Sequence, residues 1–179
     1  MSTLIIYISD IHFTGTRPEN EGAVINAFLK DVKKQLDEMP HKDVFLFIGG
    51  DLVQKADDKD SYDRFWNDVI MSLLAIGIPK EHIISVPGNH DVQRKKIEDI
   101  KQVYAPLVDK GFSEATFNDF LDSDNQVSFL TSKFENYKSF LTDKLEVANY
   151  NDIGYQVELN DDWSVYCMNS SLTSFAGID

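Results

Sequence analysis

At 179 residues, 42% of them hydrophobic and 12% aromatic, the chain is long enough for one domain with a proper core and too short for two. Thirty acids against 17 bases leave a net charge of -13, which disfavours a nucleic-acid-binding surface unless bound cations reverse the field locally. The lone cysteine, Cys167, excludes an internal disulfide, and no stretch reads as a signal peptide or membrane span, so a cytoplasmic protein is expected.

Leu4 to Ile8 is a near-continuous apolar run, which predicts a strand buried on both faces. It opens into Ser9-Asp10-Ile11-His12 and a loop with Gly15 and Pro18. From Glu21 to Leu36, apolar residues at Val24, Phe28, Val32 and Leu36 share one helical face, and Met39-Pro40 ends that helix. Val44 to Ile48 is a second buried strand, closing in Gly49-Gly50-Asp51. A charged loop, 55–60, leads to a helix in which Tyr62, Phe65, Trp66, Val69, Ile70, Leu73 and Leu74 form a core face. Asp60 or Ser61 is placed to cap its start and Gly77 its end. Ile83 to Val86 is the third strand, stopped by Pro87-Gly88-Asn89-His90-Asp91. Strand-helix-strand-helix-strand predicts an α/β fold, with right-handed crossovers and helices on the faces of the sheet.

Beyond Asp91 the pattern turns helical from 93 to 145, at Ile97, Ile100 and Tyr104, at Phe117, Phe120 and Leu121, and at Leu130, Phe134, Tyr137, Leu141 and Leu145. This predicts a helical insertion or cap beside the site. Tyr155 to Leu159 and Trp163 to Met168 then read as strands joined at Asn160-Asp161-Asp162, a hairpin turn. Cys167, inside an apolar run, is expected to be buried.

Each of the first three strands ends in metal-ligating residue types: Asp10 and His12, then Asp51, then Asn89 and His90. Ligand sites of such sheets lie outside the strands' carboxyl ends. Asp10 and His12 are two apart, so in extended backbone both point to one side. Carboxylates, imidazole and amide oxygen suit a borderline-to-hard divalent ion such as Mn, Fe, Zn or Ni, and the lack of thiolates argues against structural zinc.

Asp10-x-His12, Gly50-Asp51 and Gly88-Asn89-His90-Asp91, each after a buried strand, resemble the first three motifs of the calcineurin-like metallophosphoesterase superfamily. The resemblance implies a mixed-sheet α/β fold, part of a four-layer sandwich, and two divalent ions that share a hydroxide aimed at phosphorus. It implies Asp10 and His12 on the first ion, Asp51 bridging, Asn89 on the second, His90 assisting the leaving group and Asp91 orienting His90 or its loop. A small phosphoester is the implied substrate, with a phosphodiesterase acting on a cyclic nucleotide or nucleotide favoured by the helical cap and nuclease, phosphoprotein phosphatase and nucleotide hydrolase left open.

The family's later histidine and Gly-His-x-His motif have no counterpart, because the four histidines are His12, His41, His82 and His90. The sequence is therefore expected to be the N-terminal part of a metallophosphoesterase domain, continued by residues or domains beyond 179. By itself it is expected to bind metal weakly, through the first site at best. The rival reading is a catalytically incomplete module with a regulatory or assembly role. His41 and His82 precede their strands and are expected at the wrong edge for the site. Phe117, Phe120, Phe129 and Phe134 are expected on the inner faces of the cap helices. Phe13 and Arg17 fit substrate contact or an ordinary loop equally well.

Overall fold

The computed structural model describes residues 3–16, 19–39, 43–101 and 113–174. Three strands, β1 (Thr3–Ile8), β2 (Asp43–Ile48) and β3 (Ile83–Ser85), form a parallel sheet in the order β1-β2-β3. Register runs from Thr3 opposite Asp43 to Ile8 opposite Ile48, and Ile48 in turn faces Ser85. The carboxyl ends of all three strands therefore finish at one edge. The crossover from β1 to β2 is α1 (Glu19–Glu38), and that from β2 to β3 is a helical run, α2, of Lys59–Phe65, a π-helical turn Trp66–Ile70, and Met71–Ala75. Mixed α/β architecture is thus what the chain adopts.

Several local expectations need correction. β1 is not buried on both faces: Ile5 is 49% and Tyr7 65% exposed. Among the described residues it pairs only with β2, so an apolar run that reads as interior is here an edge. α2 is capped by Asp58, whose side chain accepts from Asp60 N–H and pairs with Arg64, rather than by Asp60 or Ser61. Val24, on the expected buried stripe of α1, is 69% exposed.

The helical region contains helical residues 97–101 and the short helices Glu114–Leu121 (α3), Asp124–Thr131 (α4) and Glu135–Ser139 (α5), the last running into a π-helical turn at Phe140–Lys144. Phe134, Tyr137, Phe140 and Leu141 are buried and join Tyr62, Phe65 and the sheet in one core. Phe129, expected inside, is 39% exposed. The side chains of Phe117 and Phe120, and residues Arg17, Pro18, Pro40, His41, Tyr104 and Pro106, lie outside the described parts. No described helix is long and apolar enough to cross a membrane.

The hairpin is as expected. β4 (Gly154–Asn160) and β5 (Trp163–Met168) pair antiparallel, and the Asn160 side-chain carbonyl accepts from Asp162 and Trp163 N–H to close the turn. Inward-facing Tyr155, Val157 and Cys167 pack on the core, Cys167 buried as anticipated. Tyr155 OH donates to Ser85 O and Tyr137 OH to Ser85 Oγ, so hairpin and α5 are both tied to the end of β3.

Lys133 is the one fully buried lysine among the described residues, and its Nζ donates to the carbonyls of Leu172 and Ser174. Burial lowers its pKa to about 7. Between pH 7 and the unfolded lysine's value near 10.5, the unfolded chain binds a proton that the folded chain does not, so this group makes stability rise with pH. Replacing it (Lys133→Met) is expected to flatten the stability profile between pH 8 and 9.5 by up to about 1.4 kcal/mol per pH unit, read by urea unfolding. Parallel profiles for variant and wild type would show that Lys133 stays charged in the fold.

Candidate metal centre

The three strand-end loops are zipped together beyond the sheet. Asp10 N–H donates to Gly50 O, His12 N–H to Asp51 O, Phe13 N–H to Leu52 O, and Gln54 N–H to Phe13 O. Phe13 itself is core, packed edge-on against Phe65 at 5.6 Å, which removes it as a substrate contact. This pairing forces unusual backbone on the residues that carry chemistry. Asp10, His12 and Asp51 have φ of 55°, 46° and 53°, the left-handed region that costs most non-glycine residues energy.

Side chains converge accordingly. His12 Nε2 lies 3.9 Å from Asp51 Oδ2 and 4.0 Å from Asp10 Oδ1. The His12 and His90 rings meet edge-to-face with centroids 4.4 Å apart. One ligand atom each from His12, Asp51 and His90 falls within 4.8 Å of the others. Asp10, its side chain 69% exposed, stands at the open side of this group. Asn89 begins the short 3-10 turn Asn89–Asp91 that carries His90.

Two glycines let the loops approach. A Cβ on Gly88 would fall 2.1 Å from Asp51 Oδ1, and one on Gly50 (φ +105°) would fall 2.7 Å from Gly88 N. That closeness lets Asp51 Oδ1 accept from His90 N–H at 2.7 Å. His90 is oriented from the other side, its Nδ1 3.1 Å from Gln54 O. A carbonyl can only accept, so with this nearer partner Nδ1 carries the hydrogen and Nε2 is offered to the centre, while the Gln54 side-chain Nε2 lies a longer 3.5 Å from the same Nδ1.

Among the described residues no hydrogen bond joins the Asp91 carboxylate to the His90 imidazole. Its buried carboxylate accepts from Gly88 N–H, Leu52 N–H and Tyr62 OH, joining the second and third loops to α2. Burial pushes this carboxyl up to about 6, against the opposing pull of those hydrogen bonds. Of the expectation that it orients His90 or its loop, the structure displays contacts to the loop.

The residues present fit a divalent cation. The donors are carboxylates and imidazoles, and His12 Nδ1 is buried without a hydrogen-bond partner, an orphan that a ring turned about χ2 would offer to an ion. His82 sits at the far edge as expected, stacked on Phe45 at 4.1 Å with Nδ1 3.0 Å from Val44 O. Sequence reasoning missed Gln54, whose backbone carbonyl and side-chain amide lie 3.1 and 3.5 Å from His90 Nδ1. It also missed Tyr62, for which a signal existed: a hydroxyl on an otherwise apolar helical face requires a buried partner.

A family model described as calcineurin-like phosphoesterase matches residues 3–173. The chain belongs to this family. No curated protein and no solved structure matches it. Family membership makes phosphoester hydrolysis with divalent metal the general chemistry of the phosphoesterase, and the cluster of His12, Asp51 and His90 is a candidate place for the metal in it.

Proposed function

We propose that the protein is a phosphodiesterase-type hydrolase working through a dinuclear site, with Asp10 and His12 on one ion, Asp51 bridging and Asn89 on the second. The observation that carries the reading is the convergence of His12, Asp51 and His90 at the carboxyl ends of β1, β2 and β3. When bound, two divalent ions would activate the attacking water and neutralise charge on the phosphoryl oxygens. His90 presents Nε2 toward the same space and, with a proton on both ring nitrogens, would pass the one on Nε2 to the departing alkoxide, while Gln54 O holds the ring through Nδ1–H. Asp91 keeps the second and third loops at the spacing this requires.

Hydrolysis of bis-p-nitrophenyl phosphate with and without Mn tests the proposal. Turnover that appears only with Mn supports it. Tight Mn binding without turnover would favour the catalytically incomplete module.

A further inference from the structure

Beside the metal centre, between the end of β1 and α1, lies a cavity of about 540 Å³. Asp10 and His12, which also belong to the centre, form part of its wall. The rest of the lining is mostly aliphatic or aromatic: Ile8, Ile11, Val24, Ile25, Phe28 and Val69. Its size falls within the roughly 300–1,000 Å³ of small-molecule sites, which are characteristically apolar with a few polar groups at one end.

Two details bear on what it takes. Glu21 also lines the cavity, but its carboxylate oxygens accept from Thr14 N–H at 2.7 Å and Thr14 Oγ1–H at 2.9 Å, so they are engaged by the loop. Val24, exposed on a helix stripe that otherwise packs inward, is part of the lining and open to solvent. Ser9, Thr14 and Asn20 complete the lining, and its apolar side offers an incoming group dispersion and desolvation, with no cationic side chain among the described lining residues. A chain of net charge -13 adds general repulsion of polyanions.

We propose that this cavity seats the uncharged, apolar alcohol portion of a phosphodiester whose phosphoryl group lies at the Asp10–His12 end, so that the site favours aryl or branched-alkyl esters over methyl esters. The proposal rests on the metallophosphoesterase reading of the centre. It adds the substrate class, and it assigns Val24 and Phe28 to specificity.

Calorimetric titration of the Mn-loaded protein with two non-hydrolysable monoanions, methyl(naphthylmethyl)phosphinate and dimethylphosphinate, tests it. The naphthylmethyl phosphinate is expected to bind at least about tenfold more tightly, the equivalent of burying part of one ring. A carboxylate at the mouth (Val24→Asp) is expected to erase that preference while Mn titrates as in wild type. Because both probes carry the same charge, simple repulsion lowers their affinities together and leaves the ratio unchanged. Equal affinity of wild type for the two probes would overturn the cavity's role and leave the metal reading standing. A ratio kept in Val24→Asp would move the apolar contact elsewhere and overturn the assignment. Failure of the protein to bind Mn would overturn the underlying reading, and the proposal with it.

Discussion

Asp51→Asn is expected to lower Mn affinity more than about 100-fold and to remove Mn-dependent hydrolysis, with the apo protein as stable as wild type. Loss of an outer-shell partner costs roughly 10–100-fold in metal affinity, and a carboxylate shared by two ions contributes more than that. The substitution is clean for three reasons. Asparagine tolerates the left-handed backbone at φ 53° as well as aspartate does. Its side-chain oxygen still accepts from His90 N–H, the bond that fixes the second loop against the third. Its volume is unchanged, so Gly88 keeps its place against it. The charge alone is removed. Calorimetry with Mn and thermal melts with and without the ion check both halves of the expectation. Normal Mn content in the variant would rule out a bridging role for Asp51.

His90→Ala is expected to keep bound Mn and to lose turnover by about 10²–10⁴, the usual worth of acid–base assistance. Alanine retains the backbone N–H that donates to Asp51, so the loop geometry survives the change. What disappears is the Nε2 atom that the Gln54 carbonyl turns toward the centre. Metal stoichiometry decides between two roles, because His90 stands as close to His12 and Asp51 as a ligand would. If the ion is lost along with turnover, His90 is a ligand and the proton comes from another group.

Much of this was legible in the chain itself. Apolar runs ending in Asp10, Asp51 and Asn89, with amphipathic helices between them, fix a parallel sheet whose carboxyl ends meet, and the structure places those ends together. The hairpin at Asn160 was legible for the same reason, alternation plus a turn residue with an acceptor side chain. Other features lay beyond pattern. The apolarity of Ile5 and Tyr7 says that a strand forms, not whether a neighbour covers it. Lys133 reads as an ordinary polar position of a helix, and only the three-dimensional path of residues 172–174 makes it a buried donor. The left-handed turns at Asp10 and His12 arise from pairing with Gly50 and Asp51 some forty residues away, a constraint no local window contains.

That pairing bears on how the molecule comes apart. Connecting loops are usually the first places to open, and binding sites built on them inherit that looseness. Here the backbone amides of Asp10, His12, Phe13 and Gln54 are bonded to a neighbouring loop as strand amides are to their ladder, and Phe13 and Val53 form a bridge in line with the sheet. In native-state hydrogen exchange these four amides should be protected to the same degree as those of Phe45 and Leu46. Opening of the metal-binding loops and opening of the sheet would then be one cooperative event, and heat or protease would not strip these loops before the fold itself.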